Sequence, residues 1–306
     1  MEPFKNVFVG LDTSEIDVTL VKFASFMADH TSAEKITFVN IVRNLNIPAN
    51  VRKEFPEIEE TALKERKDKI KVTVKEHFKP EKKVKVVYLI KKGQTGTFLD
   101  VANKSKADLI IIGQKKGPDA TGVTTMRLAR RASCNLLIVP DNVEPKVDKL
   151  LVPVDFSSYA KLAVEQTIDF AVRTGSKSEI ICQNVYTVPA GYHYTGKTFE
   201  EFGEIMKKNA QENFEKFIKK IKTRDIPIRA EYDLDTNDNL ASDIYELADS
   251  EKVDFVIIGA KGRTAAAALF LGSLAEKMVN EKMNQPLLVV RFKGKNAGLI
   301  ETLREI

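Results

Sequence analysis

The chain is written twice from one pattern, and a duplicated pattern restricts it to two copies of one domain. Val7-Phe8-Val9-Gly10-Leu11-Asp12-Thr13-Ser14 is matched by Leu150-Leu151-Val152-Pro153-Val154-Asp155-Phe156-Ser157. Each is a short apolar strand ending in Asp, then a Thr/Ser cap, then a long amphipathic stretch. Ala107-Asp108-Leu109-Ile110-Ile111-Ile112-Gly113 is matched by Val253-Asp254-Phe255-Val256-Ile257-Ile258-Gly259. Each half closes on an apolar strand, Leu136-Leu137-Ile138-Val139 and Leu287-Leu288-Val289-Val290. The shared order of these landmarks marks a duplication. At 306 residues there is room for two domains of ordinary size.

Within each half, strands and helices alternate. The hydrophobic pattern predicts strands over 6–11, 35–41, 84–90, 108–112 and 136–139, and again over 149–154, 179–185, 227–233, 254–259 and 287–291. Helices over 158–174, 198–222, 239–251 and 272–283 separate the second set, and the first half repeats the arrangement. The strands read as apolar throughout, as parallel strands buried between helix layers do. The fold class is therefore α/β, with a doubly wound parallel sheet in each half. Domains are expected over 1–143 and 147–294, with a C-terminal tail over 295–306. The short linker Asp141-Asn142-Val143-Glu144-Pro145-Lys146 predicts halves that stay packed together.

Composition narrows the function. Residues 1–148 carry 26 Lys/Arg against 20 Asp/Glu, within a net charge of +5 for the chain. A basic half suits an acidic partner, but no base-reading motif accompanies it, so no nucleic acid is expected. Tryptophan is absent and aromatics are 8%, which disfavours an aromatic stacking platform. No apolar run reaches the ~18 residues of a membrane span. Met1-Glu2-Pro3-Phe4-Lys5 leads straight into a strand without a basic-then-apolar leader. Cys134 and Cys182 form neither a metal nor a redox spacing. The expectation is a cytoplasmic, metal-free protein.

In open parallel sheets ligands bind beyond the carboxyl ends of the strands. There the second half carries Gly259-Ala260-Lys261-Gly262-Arg263-Thr264, an apolar stretch, and then Gly272-Ser273 opening a helix. Glycines let a ligand approach the main chain. A helix N-terminus offers N–H groups and a partial positive charge. The Ser273 hydroxyl can cap the helix or donate to a phosphate oxygen, and Lys261 and Arg263 add charge. Spacing alone leaves open the plainer reading, in which Gly259 only ends a strand and Ser273 only caps a helix.

On these residues the chain resembles the universal stress protein family, as two tandem family domains over essentially its whole length. Asp155, Gly259, Gly262 and Gly272-Ser273 carry the resemblance, and Ile258 to Val290 looks like the family's signature segment. Leu274 in place of the usual Val, and a small insertion before the last strand, are the departures. The resemblance implies adenine nucleotide alpha hydrolase-like domains forming an internal pseudo-dimer, with strands 136–139 and 287–291 paired across it. It implies ATP, with or without Mg2+, in the second domain. Asp155 and the main chain at Val185 would face adenine. Pro153, Ile258 and Gly259 would lie by the ribose. Gly262, Gly272 and Ser273 would hold the phosphates, with Arg263 nearby. The implied function is a nucleotide-dependent stress-response or signalling module with an unidentified protein partner. A nucleotide-independent scaffold and a slow ATPase are the alternatives, and a homodimer of the tandem unit is compatible with all three.

The equivalent first-half loop has lost the pattern. It reads Gly113-Gln114-Lys115-Lys116-Gly117-Pro118-Asp119-Ala120-Thr121-Gly122-Val123, with Lys116 at the second glycine and Val123 at the Ser/Thr. Gly113 to Gly122 is nine positions, against thirteen from Gly259 to Gly272. A loop that short cannot follow the same path around a triphosphate, so this half is not expected to bind ATP in the family's manner.

One rival motif competes. Gly191-Tyr192-His193-Tyr194-Thr195-Gly196-Lys197-Thr198 satisfies the P-loop pattern, but Pro189 and three bulky side chains argue against a phosphate wrap. Lys197 as an accessory contact is the better reading. His30, His77 and His193 form no catalytic set, and no nucleophile elbow or paired-carboxylate motif is present. The chain is not expected to be an enzyme beyond slow ATP hydrolysis.

Overall fold

The computed structural model describes residues 4–42, 45, 47–114, 123–175, 177–262 and 271–292. The chain divides into two compact units, the first ending at Pro145 and the second beginning at Lys146. The expected tail over 295–306 lies outside the described residues.

The first unit runs β1 (Asn6–Gly10), α1 (Ile16–His30), β2 (Lys35–Val42), α2 (Ala49–Glu54), α3 (Ile58–His77), β3 (Lys85–Lys92), α4 (Thr95–Lys104), β4 (Leu109–Gln114), α5 (Val123–Arg131) and β5 (Asn135–Pro140). The second runs β6 (Lys149–Pro153), α6 (Ser158–Thr174), β7 (Glu179–Tyr186), a 3-10 turn (Ala190–Thr195), α7 (Phe199–Ile218), β8 (Ile228–Leu234), α8 (Leu240–Ser250), β9 (Phe255–Gly259), α9 (Ser273–Asn280) and β10 (Leu287–Val290). Both units have the same parallel strand order, β3-β2-β1-β4-β5 and β8-β7-β6-β9-β10. This is the doubly wound arrangement that the strand pattern predicts.

Burial follows strand position. β5, β9 and β10 are buried at every residue, and each fully covered Leu, Val, Ile or Phe contributes about 1.5–3 kcal/mol. The expectation of strands apolar throughout fails at β3 and β8, which are half-exposed and carry Lys85, Lys91 and Lys92, and Arg229, Glu231 and Asp233. Each has a strand neighbour on one side only, and charges there discourage further strand pairing.

The matched aspartates of the repeat do the same work in each unit. Asp108 Oδ2 accepts from the N–H groups of Lys5 and Asn6 at 2.9 and 2.7 Å. Asp254 Oδ2 accepts from those of Asp148 and Lys149 at 2.7 and 2.9 Å. A carboxylate from the fourth strand thus ties down the entry of the first. Among the described residues no helix is long and apolar enough to cross a membrane.

Candidate functional site

In each unit the strand order reverses between the first and fourth strands, the place where the loops of an open sheet part and leave a crevice. In the second unit these strands are β6 and β9. Their pairing covers Leu150 with Phe255 and Leu151 with Val256, although β6 runs on to Pro153 and β9 to Gly259. Val154 N donates to Gln183 O on β7 at 2.7 Å. Successive residues face opposite neighbours, so Pro153 faces β9, and it has no N–H with which to continue that ladder.

Beyond Pro153 the chain turns sharply. Phe156 has φ 65°, and its first-half counterpart Thr13 has φ 68°, a region costly for bulky or branched residues. The turn lets Asp155 Oδ1 accept from Ser157 N at 3.0 Å. Ser157 then caps α6, its side chain accepting from Ala160 N at 3.1 Å. Asp155 thus shapes the turn before the cap and is half-buried.

The three glycines differ in what holds them. A Cβ on Gly259 would meet the Tyr159 backbone, 2.9 Å from both its carbonyl carbon and oxygen. Gly259 thus lets the first turn of α6 close onto β9. Gly113 does the same in the first unit, where a Cβ would lie 2.5 Å from Ile16 Cδ1. A Cβ on Gly262 would lie 2.7 Å from Asp155 Oδ2, and one on Gly272 would lie 3.2 Å from Lys261 Cα. Gly272 N donates to Ala260 O at 2.8 Å, and Ala260 N to Val290 O at 2.8 Å. The two ends of the glycine loop are thereby clasped beside Asp155. Gly272 is the N-cap of α9 and lacks a side-chain cap bond, and Ser273, exposed, is the first helical residue. Ile258 and Pro153 are buried at their strand ends, and Arg263 lies outside the described residues.

Lys261 departs from the expectation of a charge presented to the loop. It is 5% exposed, with Nζ 6.0 Å from the centre of the Tyr159 ring, and Tyr159 in turn packs edge-on against Phe292.

Sequence reasoning missed a buried asparagine beside Val185. Val185 is half-buried near the end of β7. Its neighbour Asn184 donates from Nδ2 to Val154 O at 2.7 Å, just ahead of Asp155. Asn40 makes the same bond to Leu11 O at 2.7 Å, just ahead of Asp12. The signal was available: both asparagines sit in register within the repeat, in Phe38-Val39-Asn40 and Cys182-Gln183-Asn184.

The first-unit turn is closed from within. The buried Asp17 side chain accepts from Asp12 N at 3.1 Å and Thr13 N at 2.8 Å. Ala160 stands at the matching place of the second unit. The first-half loop over 115–122 lies outside the described residues.

The rival P-loop reading is overturned. Its glycine-rich stretch forms the 3-10 turn, and the helix after it is sealed by its own capping box. Thr198 Oγ1 accepts from Glu201 N, and Glu201 Oε2 accepts from Thr198 N at 3.0 Å. A carboxylate and a hydroxyl therefore occupy two N–H donors at the helix start that a phosphate would use. Lys197 is exposed beside it. Elsewhere, burial pushes the Cys182 thiol up to about 12, leaving it protonated and unreactive.

The model of the universal stress protein family matches the chain twice, over residues 3–140 and 146–291. A universal stress protein of Methanocaldococcus jannaschii is 27% identical over 164 residues, covering 48% of this chain and 96% of that protein. A second from the same organism is 26% identical over 150 residues, covering 49% of this chain and 85% of that protein. The crystal structure of a universal stress protein from Archaeoglobus fulgidus aligns with a TM-score of 0.61 at 15% identity. That alignment covers 96% of this chain and 98% of the other, a likeness of fold across both units.

Proposed function

The chain belongs to the universal stress protein family, and on that premise we propose that its second unit binds ATP and acts as a nucleotide-dependent stress-response module in the cytoplasm. The observation that carries the reading is the convergence of Asp155, Gly262 and the Gly272 N-cap of α9 at the point where β6 and β9 part. The residues fit such a ligand: glycine replaces side chains along the approach, and a helix N-terminus without a side-chain cap supplies donors for phosphate oxygens. When bound, ATP supplies a polyanion and a flat base, which need donors and a polar edge. Gly262, Gly272 and Ser273 would meet the phosphates, with Arg263 adding charge. Pro153, Ile258 and Gly259 would line the ribose, and Asp155 with the Val185 main chain would accept from or face adenine.

The first unit is a poor nucleotide site on this reading. Asp17 already occupies the N–H groups of Asp12 and Thr13 there, in the turn whose second-unit counterpart at Asp155 would face adenine. Its retained Gly113 is accounted for by packing against Ile16.

The test is to denature freshly purified protein and identify released nucleotide by chromatography and mass. About one ATP per chain is expected. Protein that is empty and also ignores added ATP in calorimetry would overturn the proposal in favour of a nucleotide-independent scaffold.

A further inference from the structure

Lys261 is buried at a place where a lysine is unfavourable. It stands between Gly259 and Gly262 in the loop of the proposed nucleotide site, and it is 5% exposed. Its main chain lies inside the clasp of that loop. A Cβ on Gly272 would come 3.2 Å from Lys261 Cα, 3.4 Å from Ala260 O and 3.5 Å from Gly262 N. Gly272 N donates to Ala260 O at 2.8 Å, which closes the loop immediately before Lys261. The side chain leaves the clasp toward α6, where Nζ sits 6.0 Å from the centre of the Tyr159 ring. Tyr159 also backs Gly259, and its ring packs edge-on against Phe292 at 4.8 Å. One residue of α6 therefore braces both the end of β9 and the lysine that follows it.

Replacing a buried charged group, even a paired one, by an apolar side chain of similar volume is commonly neutral or stabilising. Stability alone therefore gives no reason for a lysine here, where the unbranched methionine would fill the same space. The repeat supplies a second observation. Lys115 follows Gly113 at the same interval, but Ile16 stands where the second unit has Tyr159. The ring face that attracts an ammonium group is thus confined to the unit that keeps the Gly262 and Gly272 spacing. We propose that Lys261 is a positioning residue. Held over Tyr159, it fixes the base of the glycine loop against α6, so that Gly262, Gly272 and Ser273 stand ready for phosphate oxygens. Donors fixed in advance bind more tightly, because less order remains to be imposed on binding. The inference rests on the nucleotide reading above and extends it to a residue outside the set that would touch the ligand. Adenine is served by other elements, Asp155 after β6 and Val185 on β7.

ATP and adenosine titrated into nucleotide-free Lys261→Met test the proposal, with hydrogen exchange and melting temperature measured on the same protein. Affinity for ATP should fall about tenfold or more, as for one lost hydrogen bond to a charged group, while adenosine affinity stays within about twofold. Exchange at Gly272 N, whose acceptor is Ala260 O, should quicken in the absence of nucleotide. The melting temperature should not fall. Tyr159→Ile, which installs the first-unit residue, should reproduce the loss that is selective for ATP. Unchanged ATP affinity, unchanged exchange at Gly272 N, or equal losses for ATP and adenosine with a lowered melting temperature would each overturn the role of Lys261. An unaltered chain that takes up neither ATP nor adenosine would overturn the nucleotide reading itself, and this inference with it.

Discussion

The Asp155 carboxylate lies against Gly262, so that a methyl group on Gly262 would fall 2.7 Å from Asp155 Oδ2. The contact joins the turn after β6 to the loop after β9, residues more than a hundred positions apart. Gly262→Ala should displace the carboxyl group rather than unfold the chain, because a side-chain tip can rotate away. If Asp155 bonds adenine, losing that bond costs about 1.5–3 kcal/mol, a roughly ten- to hundredfold weaker ATP affinity. Calorimetry on nucleotide-free protein measures it, and an unchanged affinity would remove this pair from the site.

Gly259→Ala should behave differently. Its Cβ would strike the Tyr159 backbone, which cannot rotate out of the way, so α6 must shift on the sheet. The expected loss is about 1–3 kcal/mol of stability. Gly113→Ala meets the Ile16 side chain, hardest at Cδ1, and no backbone atom, and should cost less. Urea unfolding of the two variants provides the comparison; equal losses would mean that α6 and α1 are equally constrained.

Asn184→Ala and Asn40→Ala each strip a buried carbonyl, Val154 O or Leu11 O, of its side-chain donor. A loss of about 1–3 kcal/mol is expected from each. In Asn184→Ala the turn at Asp155 should also loosen, read as faster hydrogen exchange at Ser157 N, whose acceptor is Asp155 Oδ1.

Asp243→Asn should stabilise the chain in a pH-dependent way. Burial, then Asp235, Glu246 and Asp233, raises the Asp243 pKa in the folded chain. The folded state thus holds this proton more tightly than the unfolded state does. That contribution is full below the unfolded pKa and is lost as pH rises through the folded value. In thermal melts the variant should melt higher than the unaltered chain near neutral pH and match it in acid.

The duplication, the order of elements and most strand limits were legible in the sequence. Helix α6 is found over Ser158–Thr174 as the pattern predicts, while α7 ends at Ile218 and α9 at Asn280, short of their expected ends. The excess at α7 reflects a tightened end, where Lys220 N donates to Phe217 O and Ile221 N to Ile218 O in i→i−3 bonds, something hydrophobic spacing does not register. The P-loop match failed for a related reason: a motif lists residue types, whereas the Thr198–Glu201 capping box decides whether the donors remain available.

By itself the sequence determined which faces are buried and where the chain reverses, because period and turn chemistry act over a few neighbouring residues. It also set Gly259, Gly262 and Gly272 in one recognisable spacing. Only the tertiary structure decided that Gly259 makes room for α6, that Gly262 makes room for Asp155, and that Gln183 meets Asp233 and Asp243. Those outcomes depend on which strands pair and how helices settle on them. They come from contacts between residues far apart in the chain, where local pattern carries no information.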